Sequence, residues 1–171
     1  SIDLLKKLIA TPSFSREESE TAVLIQEYLE GKGIATNRHG NNVWVTNKHF
    51  DGQKKTILLN SHHDTVKPNS GYTKEPFAPE LEDGKLFGLG SNDAGGSLVA
   101  LMATFIHFYE QENLNYNLVF AATAEEEVSG DNGISSILEK MPNIDCAIVG
   151  EPTKMQMAVA EKGLMVLDCT T

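Results

Sequence analysis

Helical and extended patterns alternate along the chain. The spacing of Ala22, Ile25 and Leu29 predicts a helix that opens at the capping-box sequence Ser15-Arg16-Glu17-Glu18 and stops at Gly31 and Gly33. Residues 34–36 and 42–46 flank the turn-forming His39-Gly40-Asn41 and read as a hairpin or a loose pair of strands. Lys55 to Asn60 is an apolar run of strand length. A second helix is predicted from Ala94 to Glu112, where Leu98, Leu101, Met102 and Phe105 form an apolar stripe behind Gly95 and Gly96. Asn117 to Thr123 gives another buried strand, Gly133 to Met141 a short helix, and Asp145 to Val149 a third buried strand.

Strands alternating with helices imply an α/β fold: a mostly parallel central sheet with helices on both faces, edged by antiparallel strands from the early hairpin. No internal repeat and no linker is evident before Gly163. Leu164 to Thr171 alternates as a strand does and then stops without a turn, the pattern expected of a fold left incomplete at its C-terminus.

Composition narrows the partners. The 171 residues are 40% hydrophobic and 22% charged, ordinary globular usage for a chain long enough to bury a core. Twenty-four acids against fourteen bases leave a formal charge of −10, which repels nucleic acid and anionic membrane alike. The N-terminal residues lack a signal-peptide pattern, and no apolar run approaches the ~20 residues of a membrane span. Cys146 lies in an apolar run and Cys169 far from it, so both are expected as reduced thiols, Cys146 packed in the interior. A cytoplasmic location is the expectation.

The ionisable residues are placed more tellingly than they are counted. His62 and Asp64 follow the strand ending near Asn60; Glu125, Glu126 and Glu127 follow the strand ending near Thr123; Glu151 follows the one ending at Val149. In an open α/β sheet the carboxyl ends of the strands border the ligand crevice, so these groups are predicted to meet there. Asp93 joins them from the turn before a helix, where the N-terminal amides favour an anion. Crowded carboxylates repel one another unless cations neutralise them, and imidazole with carboxylate oxygens suits zinc, with cobalt or manganese possible. In His62-x-Asp64 the carboxylate is close enough in sequence to accept the second ring N–H and fix the tautomer. His63, out of phase with its neighbours, is expected to point away. Singly, each signal has a bland alternative: a chance His-x-Asp, a solvated glutamate loop, an ordinary glycine turn. It is their occurrence at successive strand ends that favours a site.

Taken in order, "SHHDTVKP", "LFGLGSNDAGGS", "TAEEEVSG" and "VGEPT" resemble the motifs of the zinc-dependent deacylase and carboxypeptidase family that includes acetylornithine deacetylase, succinyl-diaminopimelate desuccinylase and aminoacylase. Position by position, the resemblance implies that His62 and Glu151 bind one zinc, Glu127 the second, and that Asp93 bridges them, with cobalt able to substitute. It implies that Asp64 orients His62, that Glu126 is the general base, and that the Asp93–Ala94 peptide is cis. It further implies a zinc-peptidase-like catalytic domain over residues 1–163, a lid or dimerisation domain beginning at 164–171, and a homodimer. The substrate implied is a small N-acyl amino acid of the N-acetylornithine or N-succinylornithine type, in arginine biosynthesis; desuccinylase, aminoacylase, dipeptidase or a non-catalytic metal-binding relative is the alternative. Three departures stand out. Gly95 occupies a position where the family often has lysine, Glu125 replaces a usual aspartate, and the histidine that the family brings to the second zinc from a later segment has no counterpart after Glu151. Little activity is therefore expected of these 171 residues alone.

Overall fold

A computed structural model describes residues 1–160. Residues 2–10, for which the pattern predicts no element, form α1 (Ile2–Ala10), which buries Leu4, Leu5, Leu8 and Ile9 along one face. The second helix, α2 (Ser19–Glu30), buries Thr21, Ala22, Ile25 and Leu29 as its spacing requires. It begins three residues later than the capping box places it. Glu18 is the residue before the helix, yet its side chain makes no cap hydrogen bond, because Ser15 and Glu18 both turn towards other partners described below.

Seven strands follow: β1 (Asn37–His39), β2 (Asn42–Thr46), β3 (Thr56–His62), the small hairpin β4 (Glu80–Glu82) and β5 (Lys85–Phe87), then β6 (Asn117–Thr123) and β7 (Cys146–Val149). The hairpin arm predicted at 34–36 lies slightly later, and the β4–β5 pair, whose residues are largely exposed, has no counterpart among the predicted elements. Between β5 and β6 a wide helical turn at Ser91–Gly96 leads into α3 (Ser97–Phe108), shorter at both ends than predicted.

The main sheet has the order β1-β2-β6-β3-β7. β6 pairs in parallel with β3, and β3 with β7, whereas β2 runs antiparallel to both its neighbours. Four of the five strands thus point the same way, which is the mostly parallel α/β sheet expected. All three α-helices pack on one face, against Val43, Val45, Leu59, Leu118, Phe120 and Ala122. The opposite face, with Trp44, Leu58, Val119 and Ala121, is covered by Ile137 and Met141.

Two expectations change here. The helix predicted over 133–141 is instead a pair of 3-10 turns, Ile134–Ser136 and Leu138–Lys140. β7 is not buried: all four of its residues are exposed, Cys146 included, because it is the edge strand and no described element covers it. The strand and lid expected over 164–171, and Cys169, lie outside the described residues. Among the described residues no helix is long and apolar enough to cross a membrane.

The register explains where the polar residues emerge. Asn60 pairs with both Ala121 and Val149, and His62 with Thr123, so β3 and β6 end level with one another and β7 two residues short of them, at the same end of the sheet. Whatever follows each strand leaves the sheet along a common carboxyl edge.

Candidate metal centre

His62 is the last residue of β3 and is 1% exposed. Side chains of a strand alternate between faces, so His62 and His63 leave on opposite sides. His63 goes to the helical layer, where Nε2 donates to the Asn41 carbonyl at 2.9 Å and Nδ1 lies 2.9 Å from the Thr21 hydroxyl. Burial first of all holds its pKa below the ordinary histidine value, as expected of a neutral structural imidazole. It points away from the cleft, as its phase predicts.

His62 faces a group of acids. Its Nδ1 donates to Asp64, with the main-chain carbonyl at 3.0 Å and carboxylate Oδ1 at 3.3 Å. Its Nε2 is 3.1 Å from Asp93 Oδ1 and 3.8 Å from both Glu126 Oε2 and Glu151 Oε2. Ligand atoms of His62, Asp93 and Glu127 all lie within 4.8 Å of one another. Every candidate site residue from four separate stretches of sequence therefore reaches one locality: His62 and Asp64, Asp93, Glu126 and Glu127, and Glu151.

Asp93 arrives on a turn in which the Asp93–Ala94 peptide is cis, as the resemblance implies, and Asp93 itself is not helical at φ −114°, ψ 101°. Gly95 accounts for the first departure from the family motif. A Cβ there would sit 2.5 Å from the Gly90 carbonyl oxygen and 2.8 Å from Leu5 Cδ1, so this turn packed on α1 has no room for lysine without rearrangement.

Asp64 does more than orient an imidazole. Oδ1 accepts the Glu126 amide at 3.1 Å, and Oδ2 accepts the Glu127 amide at 3.2 Å and the Ser15 hydroxyl at 2.7 Å. Burial alone would raise its pKa, but the hydrogen bonds from His62, Ser15 and the Glu126 amide outweigh it and hold the carboxylate below its ordinary range. Ser15 is a contributor that sequence reasoning misses; its only signal is that of a helix cap.

The electrostatics bear on what this group can hold. For His62 burial is the largest influence and opposes the charged form, yet the hydrogen bond with Asp64 and the charges of Asp64, Glu151 and Glu126 raise its pKa to about 9. For Glu151 burial leads, His62 opposes it, and Glu126, Asp93 and Glu127 add repulsion, so its pKa rises to about 7. Burial and the neighbouring Asp93 push Glu127 up as well. Among the described residues no Lys or Arg forms an ion pair with these acids; the imidazolium alone does. One imidazole nitrogen and several convergent carboxylate oxygens are a donor set that fits a divalent metal.

A model of the peptidase family M20/M25/M40 matches residues 58–162, more than half of the chain. The chain belongs to this family. Among solved structures, an M20 family metallo-carboxypeptidase from Sulfolobus solfataricus is 24% identical, with 87% of this chain and 36% of that one covered at a TM-score of 0.72. Human carnosine dipeptidase 1 is 18% identical, with 88% and 38% covered and a TM-score of 0.67. A dinuclear metal-binding peptidase of the M20 family from Bacillus subtilis is 19% identical, with 86% and 41% covered and a TM-score of 0.64. These likenesses show the shared fold. The chain spans 36 to 41% of the length of these three solved structures.

Proposed function

We propose that the full-length protein is a metal-dependent hydrolase that cleaves the amide bond of a small N-acyl amino acid. One observation carries this reading: ligand atoms of His62, Asp93 and Glu127 lie within 4.8 Å of one another, with the Glu126 carboxylate 3.8 Å from the same imidazole nitrogen.

His62, Asp93, Glu127 and Glu151 would hold the metal, for which zinc is the proposed identity, as two ions in the complete enzyme and with cobalt as a substitute. When bound, such an ion polarises a carbonyl and lowers the pKa of water towards ~7. The protein side of the chemistry falls to two carboxylates. Asp64 keeps Nδ1 of His62 protonated, so that Nε2 presents its lone pair to the centre. Glu126, half-exposed and therefore able to meet both water and substrate, takes a proton from the attacking water and delivers it to the leaving amine. A cavity of about 280 Å³ beside Asp93 and Glu127, bordered by Val66 and Tyr72, supports a small substrate.

The N-acetylornithine or N-succinylornithine type of substrate in arginine biosynthesis, the homodimer, the cytoplasmic setting and the division at residues 163 and 164 are proposed on the motif resemblance. A dipeptide is the second reading, favoured by the likeness to human carnosine dipeptidase 1 in fold. A panel of N-acyl amino acids and dipeptides offered to the zinc-loaded full-length protein separates the two by the amine released. Glu126→Gln in that protein is expected to lower kcat by roughly 10²- to 10⁴-fold at unchanged metal content. Undiminished turnover would remove Glu126 as the base, and absence of bound zinc in the parent would remove the metal reading.

A further inference from the structure

The turn carrying Glu126 and Glu127 is gripped from beneath by a carboxylate that the chemistry above does not use. Glu18 is fully buried, yet its side chain does not cap α2. Its Oε1 accepts the Arg16 amide at 2.6 Å and the Glu125 amide at 3.2 Å, and its Oε2 accepts Asn41 Nδ2 at 2.8 Å. A carboxylate taken out of water is tolerated when donors fill its lone pairs, and three donors do so here.

The Glu125 amide is the partner with consequences. Glu125 is left-handed at φ 55°, ψ 24°, a conformation disfavoured for any residue with a Cβ. It turns the chain from the end of β6 into the short turn Glu126–Val128, so its backbone sets the direction in which the next two carboxylates leave. Its own side chain faces elsewhere, accepting Asn132 Nδ2 at 2.9 Å, and fills the space beside Gly130, where a Cβ would collide with it. Three successive amides are thereby each held by a buried carboxylate: Glu125 by Glu18, and Glu126 and Glu127 by Asp64. Asp64 also touches His62, so its effects on the centre are mixed; Glu18 reaches the centre through this turn.

We propose that Glu18 is a positioning residue, which through the Glu125 amide aims Glu126 and Glu127 at the metal centre. The assignment rests on the metal reading above. The test is a double-mutant cycle on zinc affinity, measured by titration calorimetry on the full-length protein, with Glu18→Ala, Glu127→Gln and both together. Circular dichroism and a cooperative melt establish folding first. Glu18→Ala is expected to weaken zinc binding about tenfold or more in the parent, the range typical for partners that orient a ligand. In the Glu127→Gln background most of that loss should disappear, since the ligand being aimed is already gone.

Glu18→Gln is the rescue. It keeps an oxygen for the Glu125 amide, the Asn41 amide can rotate to accept the new NH₂, and affinity should stay within about threefold of the parent. A Glu18→Ala protein that binds zinc as the parent does, or one that loses the same factor in both backgrounds, overturns the proposal, the latter by showing a general structural effect. Should Glu18→Ala not fold, Glu18→Asp, whose carboxylate is withdrawn by one methylene, enters the same cycle, where a loss confined to the parent background supports the proposal and an equal loss, or none, overturns it. A parent that binds no zinc overturns the metal reading itself, an outcome distinct from failure of the cycle.

Discussion

Asp64 and Glu18 are both fully buried, and neither is neutralised by a lysine or arginine within ion-pair distance among the described residues. Each is instead surrounded by N–H and O–H donors, the arrangement that makes a buried carboxylate a rigid fixture. Substituting Asp64 by asparagine tests how much depends on this. Each oxygen of Asp64 serves two donors, His62 and the Glu126 amide at one, Ser15 and the Glu127 amide at the other. The asparagine NH₂ would oppose a donor pair in either orientation, so Asp64→Asn should bind zinc about 10- to 100-fold more weakly. A calorimetric titration with unchanged affinity would refute the orienting role. The imidazole–carboxylate pairing is legible from His62-x-Asp64, because proximity over two residues needs no fold. The reach of Asp64 to Glu126 and Glu127, and of Glu18 to Glu125, spans 62, 63 and 107 positions and has no local signal.

Among the strands, β6 is the most completely buried. All seven of its residues are buried, and Phe120 packs in the helical layer with its ring centroid 6.1 Å from that of Phe105. Phe120→Ala should cost about 3–5 kcal/mol of stability by removing a large buried ring from a close-packed interior. Urea unfolding would report this as a lower midpoint at similar slope, and a shift worth under 1 kcal/mol would contradict such packing. Strands of this kind are readable because a mostly apolar run of seven has few other uses. The helix predicted over 133–141 fails for a local reason: its apolar residues keep helical spacing, but Gly133 is extended out of the helical region at φ −76°, ψ −147°, and the bonds from Ser136, Ile137 and Lys140 close at i+3, with Met141 to Ile137 at i+4. For β7 the difference lies in context. Its residues are apolar, but burial depends on a neighbour that the pattern of one strand does not contain.

For the molecule as a whole, the nearly uniform strand direction is what turns scattered acids into a single locality, and that much is readable in the sequence, since strand ends and sheet class are both visible in the pattern. A centre so rich in carboxylates repels itself when empty, and a cation that binds the folded chain and not the unfolded one stabilises it. Zinc at 100 times its dissociation constant should add about 2.7 kcal/mol, seen as a rise in melting temperature that a chelator reverses. An unchanged melting temperature would argue that these acids do not gather a metal.

β3 carries one imidazole towards the cleft and the next into the helical layer, each already committed to its own partners. A single residue removed from that strand would set His63 in the place of His62 among the acids, and a single residue added would drive His62 against Thr21 and Asn41. Length changes in β3 are therefore compatible with the centre only in steps of two, so descendants of this sequence can lengthen or shorten the strand by whole pleats and never by half of one.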